Sequence, residues 1–124
     1  MSEHSRIFGG LSLPVPGVVG LNSEYAKTFI ASGAIDPKNV TFVKLNSNGA
    51  SLAMTIAKPV ANQLLIITQI DGGTDGHTVT LGSGTFDGSH TIATFNAKYE
   101  TLFLFGLDNA RYAILENLGS VGLS

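Results

Sequence analysis

From residue 40 onward the chain repeats short apolar runs separated by Gly, Asp, Asn and Ser. Leu52, Met54 and Ile56 alternate with Ala53, Thr55 and Ala57, the period-two pattern of a strand with one buried face. Runs of this kind are Val40 to Leu45, Ser51 to Ala57, Leu64 to Ile70, His77 to Leu81, Thr91 to Asn96, Thr101 to Leu107 and Arg111 to Glu116. Turn residues bound each one, at the spacing of an all-β protein, and the pattern predicts a small antiparallel sandwich or barrel. Asn46-Ser47-Asn48-Gly49, between the first two runs, has the asparagine–glycine chemistry of a hairpin turn.

Two runs break the alternation. Leu64 to Ile67 reads LLII and Leu102 to Phe105 reads LFLF, apolar at every position. A strand buried on both faces needs a layer on each side, either inside a sandwich or at a subunit contact. A small domain has little room for two central strands, so Leu65, Ile67, Phe103 and Phe105 become candidate residues of a subunit interface.

The stretch from Met1 to Asn22 differs from the β-rich domain expected over residues 23–124. It holds Pro14 and Pro16 among several glycines, which excludes a helix and favours an extended path. A solvated tail would be polar and charged. This segment is apolar, so it reads as an extended N-terminal arm laid on another surface through Ile7, Phe8, Leu11, Leu13 and Val15, or as an edge strand of the domain's own sheet. Ser23 to Ala34 suits a helix capped by Ser23 and ended by Gly33, and its Thr28 and Ile30 suit a strand equally. Asp36-Pro37-Lys38-Asn39 predicts a turn.

Composition sharpens the picture. Charged residues are 13% of the chain, about half the usual share, while hydrophobic residues are 44%. A sparsely charged surface on a small domain points to assembly with other protein. The seven Lys and Arg are scattered singly and the formal net charge is -2, which argues against nucleic acid as a partner. Cysteine is absent, so disulfides and thiolate metal sites are excluded. The first residues lack a basic start followed by a long apolar stretch, and no apolar run is long enough to span a bilayer. The expectation is a protein made in a cytoplasm with no membrane partner, in which the acceptor-like Asn39-Val40-Thr41 is a chance match.

Candidate chemistry is sparse. Asp71-Gly72-Gly73-Thr74-Asp75-Gly76-His77 invites a calcium reading, but counting from Asp71 places Gly73 and Gly82 where an EF-hand needs side-chain oxygens. No metal-ligand spacing joins His77 and His90. Ser83 and Ser120 stand between or beside glycines without the frame of a nucleophile elbow. Asp71, Asp75, Asp87, Glu100, Asp108 and Glu116 mostly fall at turns, where carboxylates cap backbone groups. The expectation is a protein without catalytic residues, bound metal or cofactor.

A set of segments spans Gly33 to Ser124: GAIDP at Gly33 to Pro37, IDGGTDGHTVTL at Ile70 to Leu81, GTFDG at Gly84 to Gly88, the run Ile92 to Ala97, E-x-L-x-L from Glu100, and RYAILENLGSVGLS from Arg111 onward. In combination they resemble the head decoration, cement or head-fibre proteins of tailed phages. The resemblance implies a β-rich fold, a homotrimer and a place on the capsid exterior of the virion, with the major capsid protein as partner. It carries no functional residue over. The competing expectation is a receptor-binding or fibre-tip domain; 8% aromatic residues and no Trp weigh against a stacked glycan site.

Overall fold

The computed structural model describes residues 6–7, 11–15, 18–21, 25–47, 49–72 and 76–124, and among them there is no α-helix. Among the described residues no helix is therefore long and apolar enough to cross a membrane. Arg6–Ile7 (β1), Leu11–Val15 (β2) and Val18–Leu21 (β3) pair with one another in an antiparallel three-stranded sheet. The stretch expected to run as an extended arm thus doubles back twice. Its register breaks between Ser12 and Val15, around Pro14, which has no N–H to give to a ladder.

The remaining strands are Ala26–Phe29 (β4), Gly33–Ala34 (β5), Phe42–Leu45 (β6), Ala53–Ile56 (β7), Leu64–Gln69 (β8), His77–Leu81 (β9), Ile92–Phe95 (β10), Thr101–Gly106 (β11), Tyr112–Leu118 (β12) and Gly122–Leu123 (β13). They form two five-stranded sheets, ordered β12-β11-β8-β6-β4 and β13-β10-β9-β7-β5. The sheets lie face to face as a sandwich and do not close into a barrel.

The sheets are mixed, which corrects the antiparallel expectation. From β4 to β9 the chain changes sheet at every strand, so each return to a sheet runs in the same direction. β4, β6 and β8 are parallel neighbours, as are β5, β7 and β9. Parallel neighbours need a crossover, and here a strand of the opposite sheet supplies it. Only then does the chain fold back, with β10 antiparallel to β9, and β11 antiparallel to both β8 and β12. The expected hairpin at Asn46 to Gly49 is one casualty. β6 and β7 lie in different sheets, and the segment between them carries the chain across.

Within the stretch expected from Ser23 to Ala34, Ala26–Phe29 and Gly33–Ala34 are strand, and Ser23 lies outside the described residues. Ala26 to Phe29 pair in parallel with Phe42 to Leu45, the Thr41 amide bonds to the Tyr25 carbonyl, and the Asn46 amide to that of Phe29. A short window ending in glycine has little helix stability of its own, and a waiting sheet edge outweighs it. The Asp36 turn forms as read: its carbonyl accepts the amides of Asn39 and Val40, and its side chain the amide of Lys38.

Alternate residues of facing strands fill the core. Val43 and Leu45, Leu65 and Ile67, Leu102 and Leu104 enter it from one sheet, and Met54, Ile56 and Val79 from the other, all buried. β8 and β11, the two doubly apolar strands, are neighbours inside the same sheet. The alternation is present in them but hidden, because both faces are apolar. Leu65 and Ile67, expected at a subunit interface, point into the chain's own core and are 0% exposed. Where β11 ends, a Cβ on Gly106 would run into the Val60 carbonyl oxygen, so only glycine fits that crossing.

Candidate functional site

The densest polar arrangement joins the β6–β7 connection to the ends of β8 and β9. His77 opens β9 with its ring fully buried, and its Nδ1 accepts the Leu52 amide at 3.0 Å. That bond places the ring proton on Nε2, which faces Asp71 Oδ2 at 3.0 Å and Oδ1 at 3.2 Å. Asp71, also buried, accepts the Ser47 amide at 2.7 Å and Gln69 Nε2 at 2.9 Å. The Ser47 hydroxyl lies between Asp71 Oδ2, at 3.1 Å, and the Ala50 carbonyl. Burial alone raises the Asp71 pKa, but the Ser47 amide, the His77 ring and the Ser47 hydroxyl together outweigh it and hold the carboxyl below its ordinary 3.8.

Serine, histidine and aspartate therefore meet here without the geometry of acyl transfer. The nitrogen that would take a hydroxyl proton is occupied by a backbone amide, and the other faces the carboxylate. What the arrangement does is tie three segments that the sheet ladders leave separate. The sequence placed a turn at Asp71 to His77; Gly73, Thr74 and Asp75 lie outside the described residues.

Elsewhere titratable groups serve their own loops. Asp87 accepts the amides of Ser89 and His90, and its Oδ2 lies 2.6 Å from His90 Nδ1. The His90 side chain, foremost, draws the Asp87 pKa down to about 2. Asp108 bonds to the Ala110 amide and lies 3.5 Å from Arg111, and Glu100 receives the amides of Asn96 and Ala97. Among the described residues no group of three or more His, Asp and Glu side chains is placed to hold a metal ion. Ser83 and Ser120 are exposed in loops.

Two shallow clefts open on the surface. One, of about 300 Å³, lies between the edge strands β4 and β5 and is lined by Lys27, Phe29, Ala34, Asp36, Asn39 and Val40. The Asp36 carboxylate there is already engaged with Lys38 and Asn39. The other, of about 380 Å³, has Asp87 and Arg111 at a wall formed by β12. Beside it Phe86 stacks on Tyr112 with ring centres 6.0 Å apart, and burial pushes the Tyr112 hydroxyl pKa far up.

The broadest feature is the outer face of β12-β11-β8-β6-β4. Phe42 pairs with Ile66 and Ile66 with Phe103, while Leu64 pairs with Phe105, so five large apolar side chains form a continuous half-buried surface across three strands. At its β12 border Leu115 and Leu118 are 57% and 46% exposed, and a register shift in β11–β12 leaves Leu115 outside the ladder.

Of the residues expected at an interface, Phe103 and Phe105 lie on this face, and Leu65 and Ile67 do not. Phe42, Leu64 and Ile66 also lie on this face and were not singled out from the sequence. Their signal was available in the unused halves of LLII and in the alternation of Phe42 with Val43. Ile7 lies in β1 and Leu11, Leu13 and Val15 in β2, while Phe8 falls outside the described residues. Compared with protein-family models, with curated proteins and with solved structures, the chain matches none.

Proposed function

We propose that the chain is a virion structural protein of a tailed phage: a decoration (cement) subunit that forms a homotrimer on the capsid exterior and stabilises the head by binding the major capsid protein. The observation that carries this reading is the continuous apolar outer face of a fully formed sandwich. Large apolar residues gathered at the outward positions of three neighbouring strands, in a chain with only 13% charged residues, suit a protein that meets other protein. The buried polar groups around Asp71 and His77 are engaged within the fold, which fits a structural rather than a catalytic role. The resemblance of residues 33–124 to phage head proteins supplies the setting. In this reading the N-terminal segment, through Ile7, Phe8, Leu11, Leu13 and Val15, contacts the capsid shell.

The test is co-sedimentation of purified protein with particles that lack it, using the full chain and a chain without residues 1–22. Binding by the full chain and loss of binding by a shortened chain that still forms trimers is the expected result. Failure of the full chain to bind capsids would overturn the reading. A copy number confined to the fibres of the native particle would instead favour a receptor-binding or fibre-tip domain.

A further inference from the structure

The outward positions of β6, β8 and β11 hold Phe42, Leu64, Ile66, Phe103 and Phe105, and none of these is exposed. Thr68 and Thr101, outward in a neighbouring row, are 7% and 9% exposed, and their hydroxyls bond to each other at 2.7 Å. Phe105 already has a contact within the chain. The outer face of the opposite sheet differs, because Ala53 and Thr55 are exposed there although both side chains are short. Short outward side chains stand in water on an open sheet face, so threonines at this depth call for a layer above them.

Among the described residues, β4 to β13 are all accounted for in the two five-stranded sheets, which leaves β1–β3 to supply that layer. Pairing sets Ile7, Leu11 and Leu21 in one row of the small sheet and Arg6, Ser12 and Gly20 in the next. Neighbouring rows belong to opposite faces, so one face of the small sheet is apolar and gains from cover. Residues 22–25 join β3 to β4, the edge strand of the sheet in question. That link reaches at most about 14 Å, enough to step up one layer of about 10 Å. It falls short of the outer face of the opposite sheet, two layers or about 20 Å away.

We infer that β1–β3 closes as a third layer over the outer face of its own chain and holds that face shut against a second copy, opening when another surface takes the small sheet. In the reading above that surface is the capsid shell, and the opening step rests on that reading. The apolar row through Ile7, Leu11 and Leu21 serves one partner at a time, its own outer face or the shell. A subunit that meets the shell therefore uncovers Phe42, Ile66 and Phe103, and copies gathered on the particle meet one another there. In the free chain the short link gives the small sheet a high effective concentration at its own face, so closure wins over association when the protein is dilute. Apolar surface is hidden in solution and available on the particle.

The experiment compares the full chain with a chain lacking residues 1–22, by sedimentation velocity over a dilution series. The shortened chain is expected to form a discrete oligomer and to associate at least about tenfold more tightly than the full chain. A separate peptide of residues 1–22 should return it to monomer, a rescue that a folding defect would not allow. The chain has no tryptophan, so Phe103→Trp places a single reporter on the closed face and Thr55→Trp a control on the open one. At concentrations where both chains are monomeric, the reporter at 103 should emit further to the red in the shortened chain, and the control should not move. Phe42→Trp repeats the comparison if the first variant folds poorly. Equal association of the two chains, or a reporter equally shielded in both, would overturn the closure. A full chain that closes in solution and does not bind particles would overturn the capsid reading and its opening step, and leave the closure standing.

Discussion

His77 and Asp71 are bound to each other inside the domain, ring Nε2 to carboxylate at 3.0 Å, with the far ring nitrogen held by the Leu52 amide. The pair connects the start of β9 to the end of β8 and, through Ser47, to the crossing between sheets. Asp71→Ala and His77→Ala should each cost about 2–3 kcal/mol, because each leaves buried polar groups without partners. Urea unfolding of the two variants checks this. A loss under half a kilocalorie would mean that the knot is incidental.

The acid limb of stability has a defined direction. Asp71 is held below its ordinary 3.8 and Asp87 is drawn to about 2, so both bind protons more weakly when folded than when unfolded. Their contribution is complete above the unfolded value and is lost as pH falls below about 4, for Asp87 toward about 2. Urea midpoints measured across that window should fall steeply for the parent and less steeply for Asp71→Asn. An equal slope in the variant would remove Asp71 from the explanation.

Chelation should leave the protein unchanged. Asp71, the acidic residue that begins the glycine-rich connection, already accepts hydrogen bonds from Ser47, Gln69 and His77. The melting temperature in excess EDTA is expected to equal that without it. A drop reversed by added calcium would show a site that the connection completes.

The two faces of the β8–β11 pair should separate stability from assembly. Leu104 is fully buried in the core, and Leu104→Ala should cost about 2–5 kcal/mol. Ile66 lies on the outer face, and Ile66→Thr keeps a β-branched strand residue there. It should stay within about 1 kcal/mol of the parent while weakening association. Thermal melts and sedimentation on the same samples distinguish the effects. Comparable melting losses in both variants would mean that the outer face is part of the fold's own core.

Gly106→Ala should destabilise by about 1–3 kcal/mol, since the added methyl group runs into the Val60 carbonyl oxygen. Relief requires β11 to move away from the bonds it makes there, Asn62 amide to Gly106 carbonyl and Gly106 amide to Gln63 carbonyl. Chemical denaturation reads the change directly, and a neutral result would show that the crossing is slack.

The strands from Val40 onward were legible in the sequence because period-two patterning and turn chemistry act over a few residues. Leu52, Met54 and Ile56 declared their buried face, and Asp36-Pro37-Lys38-Asn39 its turn. The choice of partners was not legible. Asn46 to Gly49 has the local chemistry of a hairpin, yet tertiary structure sends β6 and β7 to different sheets, and Ser47 finds Asp71 far along the chain instead. Ala26 to Phe29 became a strand because the edge of β6 was free to receive it. In LLII and LFLF no local signal says which half faces inward; that parity was decided by the sheet against which Leu65, Ile67, Leu102 and Leu104 close. The candidate face inherits the same ambiguity, legible as apolar through Phe103 and Phe105 but completed only when register brought Phe42 and Ile66 beside them. Local pattern selects strand and turn, while pairing and facing depend on contacts between residues distant in sequence, whose free energy exists only once the loops between them have closed.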